Sequence, residues 1–169
     1  MTSDVFDDPR ITALGLLTEV QAGIAERMAP LLAEHKLAPA EFDVLLRLSR
    51  SPDRRLRMSD LAAQTILSTS GVTRVVDRLE RDELACREPC ASDRRAMYAV
   101  LTAKGEKRLT AMLPAHHDLV EHWFTGQLDP DELAALLIAL RKIRDAVRPD
   151  ATAGITGEMA ERCMKRPTA

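Results

Sequence analysis

The stretch Ser68-Thr-Ser-Gly-Val-Thr-Arg-Val-Val-Asp-Arg-Leu-Glu-Arg81 decides the fold, because its residues divide between two faces of a predicted helix. The apolar face is predicted to pack inward and consists of Val72, Val75, Val76 and Leu79. The outward face is polar and rich in hydrogen-bond donors near its start, and consists of Thr69, Ser70, Thr73, Arg74, Asp77 and Arg78. Ser68 is expected to cap this helix, which should reach about Asp82.

A predicted hairpin follows this helix directly. Ala85-Cys-Arg-Glu88 and Met97-Tyr-Ala-Val-Leu101 flank the polar stretch Ala91-Ser-Asp-Arg-Arg95, which carries two arginines at the expected tip. Upstream, Ser59 is expected to cap a short helix over residues 60–66. Two short helices followed by a two-stranded hairpin predict a winged helix-turn-helix, which places its second helix in the major groove of DNA.

Longer amphipathic helices are predicted on both sides of this unit. Two precede it, at about residues 10–34 and 39–50, and the first contains Pro30, where a bend is expected. After the hairpin, Thr102 is expected to cap a helix over about residues 103–126, which Pro114 should bend.

The last predicted helix begins at a capping box formed by Asp129 and Glu132 and ends before Pro149. It is predicted to bury an apolar stripe made of Leu133, Leu136, Leu137, Leu140, Ile143 and Val147. The terminal helices are too long and too apolar to be covered by a small winged-helix core, so a second copy of the chain is the expected partner.

The predicted fold class is therefore mainly α with a small β-hairpin wing, a winged helix-turn-helix on a helical dimerisation base. Its predicted parts are an N-terminal dimerisation helix (1–36), the winged helix-turn-helix core (37–102), C-terminal dimerisation helices (103–148) and a mobile tail (149–169). The tail is expected because it has few large apolar groups.

Composition limits the classes of function. The chain has 169 residues with 46% hydrophobic and 30% charged residues, which excludes wholesale disorder. Its net charge is −2, but residues 54–95 carry nine arginines against seven acidic residues, a distribution that suits recognition of phosphate or guanine. No stretch is apolar enough to span a membrane, and the acidic N-terminus is unlike a secretion signal, so a cytoplasmic location is expected. The sequence has no Gly-rich phosphate loop and no G-x-S-x-G motif, which argues against an enzyme.

Three stretches resemble the MarR family of bacterial transcription regulators. They are Leu67 to Arg81, Asp93-Arg-Arg-Ala96, and Leu101-Thr-Ala-Lys-Gly105, and the resemblance covers about residues 10–148. It implies a winged-helix homodimer, in this case a repressor, that binds a palindromic double-stranded DNA operator and is often released by a small molecule or an oxidant.

The resemblance also assigns roles to single residues. Ser68, Ser70, Thr73 and Arg74 match the family's major-groove and phosphate contacts, and Thr69 and Arg78 join this set from the outward face of the helix. Arg95 matches the wing arginine that enters the minor groove, where a narrow groove has enhanced negative potential. Asp93 would hold Arg95 by a salt bridge, and Arg94 would lie beside it at the DNA backbone. Glu83 departs from the family, which usually has Gly or another residue tolerant of a left-handed conformation there.

The signal that controls binding has several candidates. Cys86, Cys90 and Cys163 allow a thiol-based redox regulator, since nearby arginines could lower a thiol pKa. However, the family's peroxide sensors carry their cysteine in the first long helix, which here has none. The histidines have poor chelating spacing, so no metal and no cofactor are expected; they are His35, His116, His117 and His122.

The resemblance to the family favours a small aromatic acid or phenol as the effector, in a crevice between the winged helix and the helical base. Candidate lining residues are Val20, Ile24, Phe42 and Met112, although a core position is the simpler interpretation of each. Urate-responsive relatives carry a tryptophan in the first helix, whereas the single tryptophan here is Trp123. Urate is therefore not expected as the effector. An architectural DNA-binding protein without an effector is the remaining alternative.

Overall fold

The computed structural model describes residues 7–65, 67–90 and 93–152, with the side chain of Arg94 also outside this description. Six α-helices and three β-strands occur in the described ranges. In chain order they are α1 (Pro9–Glu34), α2 (Pro39–Ser49), β1 (Arg55–Arg57), α3 (Met58–Gln64), α4 (Thr69–Arg81), β2 (Ala85–Cys90), β3 (Asp93–Leu101), α5 (Ala103–Trp123) and α6 (Pro130–Val147). The predicted fold class, mainly α with a small β wing, is confirmed.

Three helix starts have the side-chain caps that the sequence predicts. The Ser68 hydroxyl accepts a hydrogen bond from the backbone N–H of Gly71 at 3.1 Å, which begins α4. Thr102 caps α5 in the same way. At α6, the Asp129 carboxylate accepts from the N–H of Glu132, whose carboxylate in turn accepts from the N–H of Asp129. These bonds satisfy backbone donors that a helix cannot pair internally, so the three predicted starts are confirmed.

The predicted start of α3 is wrong. The helix begins at Met58, one residue before Ser59, and Arg57 occupies the cap position without a side-chain hydrogen bond. The Ser59 hydroxyl instead lies 3.3 Å from a carboxylate oxygen of Asp60. Strand β1 runs directly into the helix, so the chain has no room for a separate cap.

The sheet has three strands rather than two. Strand β1 pairs antiparallel with β3, Leu56 opposite Ala99, and the strand order is β1-β3-β2. Both hairpin strands are also longer than predicted, since β2 reaches Cys90 and β3 starts at Asp93. Because β1 is only three residues long, its alternating pattern is too short to recognise in the sequence.

One apolar core joins the winged helix-turn-helix to the ends of two long helices. Its most deeply buried members include Val44, Leu45, Leu48, Leu61, Val72, Val76, Leu79, Leu84, Ala99 and Met112. The four apolar residues predicted to face inward on α4 are all buried. Met28 and Leu32 of α1 and Leu109 and Met112 of α5 belong to the same core. We call α2 to β3, with these core-contacting segments of α1 and α5, the head.

The Leu101 to Gly105 motif forms a tight joint between the sheet and α5. The Thr102 hydroxyl donates to the Glu83 carbonyl at 2.7 Å and accepts from the Gly105 N–H at 3.0 Å. A Cβ at position 105 would lie 2.0 Å from the carbonyl oxygen of Leu84. Only glycine allows this approach, which explains why the motif ends in one.

The predicted burial of the α6 stripe is wrong for the single chain. No α6 residue is buried; Leu133, Leu136 and Leu140 are half-buried, and the other three are exposed. The first half of α1 is likewise open, with Leu14 exposed to 66%. Within the described residues, no element of the same chain covers these faces. We call the exposed part of α1 (residues 9–22), the end of α5 and α6 together the base.

Three smaller predictions have mixed outcomes. Helices α1 and α5 continue through Pro30 and Pro114. Helix α5 ends at Trp123, three residues before the predicted end, and a short 3-10 turn follows. In the predicted tail, Pro149–Thr152 forms a 3-10 turn, and residues 153–169 lie outside the described part of the chain.

Candidate DNA-binding site

The exposed face of α4 presents the polar residues that the sequence assigns to DNA. Ser68, Thr69, Ser70, Thr73 and Arg74 are all exposed. The hydroxyl oxygens of Ser68 and Ser70 lie 3.1 Å apart, and the Thr73 hydroxyl donates to the Thr69 carbonyl at 3.0 Å. Since its proton is used within the helix, Thr73 is left with acceptor capacity towards a base edge. Within the described residues Arg74 has no ion-pair partner, so its guanidinium is available for phosphate.

Arg78 lies on the border of this face and is held by the protein. Its Nε donates to Glu41 Oε1 at 2.6 Å, while Glu41 Oε2 accepts from the backbone N–H of Ala38 at 2.8 Å. Glu41 is buried, so this ion pair ties α4 to the start of α2. The pairing gives Arg78 a structural role beside the predicted DNA contact, which stays a prediction.

Arg87 on β2 connects the wing to α4, and the sequence interpretation missed it. Its guanidinium pairs with the carboxylates of Glu80 and, at 2.7 Å, Asp77. The same group donates to the Thr73 carbonyl at 3.2 Å, and the backbone N–H of Arg87 donates to Glu80 at 2.8 Å. Strand and helix are therefore held at a defined angle. The sequence did contain a signal for this contact. Arg87 lies on a predicted strand that directly follows the acidic end of a predicted helix.

At the wing tip, the structure corrects the expected Asp93–Arg95 salt bridge. Asp93 Oδ1 accepts from the backbone N–H of Arg95 at 3.1 Å, and no ion pair joins the two side chains, both of which are described. Asp93 thus shapes the backbone at the tip and leaves the exposed Arg95 guanidinium free to reach outward. The side chain of Arg94 lies outside the described residues.

Glu83 adopts the left-handed conformation that this position requires. Its φ is +60°, and its carboxylate accepts from the Lys104 ammonium at 2.6 Å. That hydrogen bond lowers the pKa of Glu83 below its ordinary value. The departure from the family pattern therefore leaves the entry into the hairpin intact, and the ion pair to α5 partly offsets the strain of a non-glycine residue.

The structure does not give Cys86 the environment of an activated thiol that the sequence allowed. Burial, with the carboxylates of Glu88 and Glu80, raises the pKa of the Cys86 thiol, the opposite of the lowering expected from nearby arginines. Cys90 is buried at the end of β2, where the Arg57 guanidinium lies 3.7 Å from its sulfur. Cys163 lies outside the described residues. The surroundings of Cys86 therefore do not favour the thiolate form on which redox sensing depends.

The four predicted effector-lining residues differ in burial in the single chain. Phe42 and Met112 are buried in the core, Ile24 packs half-buried against it, and Val20 is exposed. The His116 ring lies 5.2 Å from that of Phe42, and burial lowers the pKa of His116. Among the described residues, no group of three or more His, Cys, Asp or Glu side chains is arranged to hold a metal ion, and none of the described helices is long and apolar enough to cross a membrane.

A polar recognition helix backed by a helix-turn-helix core and flanked by an arginine-tipped hairpin defines a winged helix-turn-helix DNA-binding protein. Comparison with known proteins supports this class. The family model described as MarR family matches residues 35–96. The HTH-type transcriptional regulator YkoM of Bacillus subtilis is 36% identical over 110 residues, which are 64% of this chain and 69% of YkoM. MhqR of the same organism is 33% identical over 101 residues, 60% of this chain and 68% of MhqR.

Solved structures show the same relationship. AbsC, a MarR family transcriptional regulator from Streptomyces coelicolor, is 33% identical with a TM-score of 0.75, covering 82% of this chain and 93% of AbsC. Sco3205 from that organism, solved in complex with DNA, is 27% identical with a TM-score of 0.75, covering 82% and 90%. The chain belongs to the MarR family and is a DNA-binding transcriptional regulator.

Proposed function

We propose that this protein is a homodimeric repressor that binds a palindromic operator and is released from it by a small aromatic acid or phenol. The observation that carries the proposal is the pairing of an outward-facing α4 with a base whose apolar faces are left uncovered by the described part of their own chain. The chain therefore offers one surface for DNA and another for a second copy of itself.

The exposed base supports the dimer. Leu14 and Ile138 are each exposed to 66%, and Val147 to 70%. Large exposed apolar patches mark interaction sites in soluble proteins, and several large apolar side chains are exposed on both α1 and α6. A twofold dimer presents two copies of α4, so its operator should contain two half-sites about one helical turn apart. Selection of bound sequences from random duplex DNA tests this, and recovery of sites without dyad symmetry would contradict it.

The wing and α4 are proposed to read different parts of the operator. Arg95 enters the minor groove, and its removal should weaken binding without unfolding an exposed tip. The test is a mobility-shift titration of Arg95→Ala at fixed salt, with Arg50→Ala as a matched control because Arg50 is exposed after α2, outside the base and the proposed contact set. Arg94, Ser68, Thr69, Ser70 and Arg78 complete the proposed contact set. Equal affinity of Arg95→Ala and the parent would remove the wing from the proposal.

Thr73 and Arg74 are proposed to contact bases and phosphate respectively. Loss of a base-edge contact costs about 1–3 kcal/mol and relaxes specificity at one position, whereas loss of a phosphate contact weakens all sequences and reduces the salt slope. Thr73→Ala should therefore lose affinity mainly for the selected operator, and Arg74→Ala for scrambled DNA as well. Titrations of both variants on both duplexes at two salt concentrations separate the roles.

The effector is tested against its redox alternative in one assay. A protein with all three cysteines replaced by serine is titrated with peroxide and with benzoate, salicylate and simple phenols while operator binding is followed. Release by an acid or phenol from both proteins supports the proposal. Release by peroxide from the parent alone would favour the thiol mechanism, and an unchanged complex under every condition would favour a regulator without an effector. The raised thiol pKa of Cys86 favours the first outcome.

A further inference from the structure

Arg148, the residue that follows α6, reaches back to the helix-turn-helix. Its Nη2 donates to the carbonyl oxygen of Ala63 at 2.8 Å and to that of Thr65 at 2.5 Å. Both carbonyls lie at the end of α3, more than 80 positions earlier in the chain. This contact joins the end of the base directly to the turn that precedes the recognition helix.

The backbone carbonyls at the end of α3 require hydrogen-bond donors from outside the helix. The last carbonyls of a helix have no intrahelical donor and carry partial negative charge, which a cation stabilises. The backbone N–H and the hydroxyl of Thr65 both donate to the Leu61 carbonyl, at 3.0 and 2.9 Å. Arg148 supplies charge-assisted donors to two further carbonyls, and a guanidinium can do so in a fixed planar geometry.

Among the described residues, the surface of this joint is open beside Arg148. A cavity of about 510 Å³ lies beside Arg148, bordered by small or partly exposed residues of the α3 end and of the chain after α6; they include Ala62, Leu67, Val147, Pro149 and Asp150. This cavity is a groove between the end of α3 and the chain after α6. Arg148 and the Pro149–Thr152 turn against α3 connect the end of α6 to the helix-turn-helix there, in addition to the continuous helices α1 and α5 that join the head to the base.

We propose that Arg148 is a positioning residue that sets the separation of the two recognition helices, and with it the half-site spacing that the protein accepts. Thr65 lies three residues before Ser68, the cap of α4. A shift at the end of α3 therefore moves the start of the recognition helix. The inference rests on the proposed dimeric binding to a palindromic operator, and it adds a residue outside the DNA surface that controls specificity.

The experiment measures dissociation constants for the selected operator and for duplexes with one base pair inserted or removed between unchanged half-sites. The parent should prefer one spacing. Arg148→Ala should bind that spacing about three- to tenfold more weakly, yet bind the altered spacings with little loss, so that spacing discrimination falls at least threefold. Arg148→Lys keeps a positively charged donor but lacks the planar guanidinium. It should therefore keep part of the spacing discrimination that Arg148→Ala loses. Arg141→Ala removes the same charge from an exposed site two turns earlier on α6 and should match the parent.

A structural role alone predicts a different result. In that case Arg148→Ala would lower affinity for all spacings equally, in step with lost helix content by circular dichroism, and the proposal would be overturned. Discrimination equal to that of the parent would also overturn it. A parent that binds the operator without any spacing preference would defeat this inference while leaving DNA binding intact. A parent that selects no dyad-symmetric DNA would defeat the proposed function and the inference with it.

Discussion

The head and the base have similar amphipathic helices but opposite degrees of burial. In the head, the apolar face of α4 is covered completely, and Leu45, Val72 and Val76 are fully buried. In the base, α6 has an equally regular apolar stripe with no buried residue. The helical pattern therefore identifies an apolar face that must be buried, but it does not identify which chain buries that face.

The difference also separates two kinds of stability. The head is closed within one chain, so its free energy of unfolding should not depend on protein concentration. The proposed dimer would bury the base, so the stability of the base should rise with protein concentration. Each substitution below tests one side of this comparison.

Gly105→Ala should have the largest effect, on the head. The added Cβ would lie 2.0 Å from the Leu84 carbonyl oxygen, so the start of α5 must move away from the sheet. We expect a loss of about 3 kcal/mol or more in the free energy of unfolding, measured by urea denaturation. Gly15→Ala is the control in the base, where nothing lies within 4 Å of the new Cβ. It should leave stability unchanged or raise it by up to about 1 kcal/mol, since alanine favours helix. Similar losses in both variants would contradict the close approach at Gly105.

Leu14→Glu combined with Leu17→Glu should break the base while sparing the head. Both leucines are exposed on α1 in the single chain, so the new carboxylates carry little cost there but would be buried in a dimer. We expect dimer dissociation to become at least about 100-fold easier, or roughly 2.7 kcal/mol, by analytical ultracentrifugation. Thr12→Glu adds a charge at an exposed position on the side of α1 opposite these leucines and is the control. A double variant that stays dimeric would move the interface away from this face.

The sequence predicts local features well because their partners lie close by in the chain. The caps at Ser68, Thr102 and Asp129 each involve donors within three residues, and all three are present. Features that depend on distant partners were missed. Strand β1 needs β3, about forty residues later, to be recognisable. The tie from Arg148 to α3 likewise joins segments with no common pattern.

The candidate site divides in the same way. Helical spacing identified the exposed face of α4, and the structure confirms that Thr73 and Arg74 are exposed there. Spacing could not show that Arg78 is paired with Glu41 from another helix. The expected salt bridge at the wing was wrong because Asp93 bonds the backbone of Arg95, a choice between two neighbouring donors that sequence spacing cannot resolve.

Arg87→Ala should have an intermediate effect inside the head. It removes a guanidinium that pairs with Asp77 and Glu80 and also reaches the Thr73 carbonyl. We expect a loss of about 1–2 kcal/mol in stability, since two carboxylates lose their partner, and about tenfold weaker operator binding because the wing is no longer fixed to α4. Arg81→Ala, on an exposed end of α4, is the stability control. Unchanged binding with reduced stability would show that the wing angle is set by other contacts.

His116 gives the smallest expected effect, where α5 leaves the head. Burial, and then His117, lowers the pKa of the His116 imidazole below its ordinary value of 6.5. The unfolded chain therefore takes up this proton more readily, and stability should fall as the pH drops through 6.5 towards the lower folded pKa. Because the ring is partly exposed, solvent screening should keep the change below about 0.5 kcal/mol.

The measurement compares urea denaturation of the parent and His116→Gln between pH 7.5 and 5.5. The variant should lose part of the stability decrease, whereas His117→Gln, which alters the exposed neighbour, should retain most of it. An identical pH dependence in the parent and His116→Gln would show that other groups control it.

The small sheet of the wing has edges that resist pairing with further strands. On one side, β1 offers only three residues, two of them arginines. On the other side, β2 carries Pro89, which has no N–H to donate, next to the charged Glu88. Short, charged or proline-bearing edges block the strand-by-strand growth that leads to fibrils. A wing exposed on the surface can therefore remain accessible at high protein concentration without seeding aggregation through its backbone.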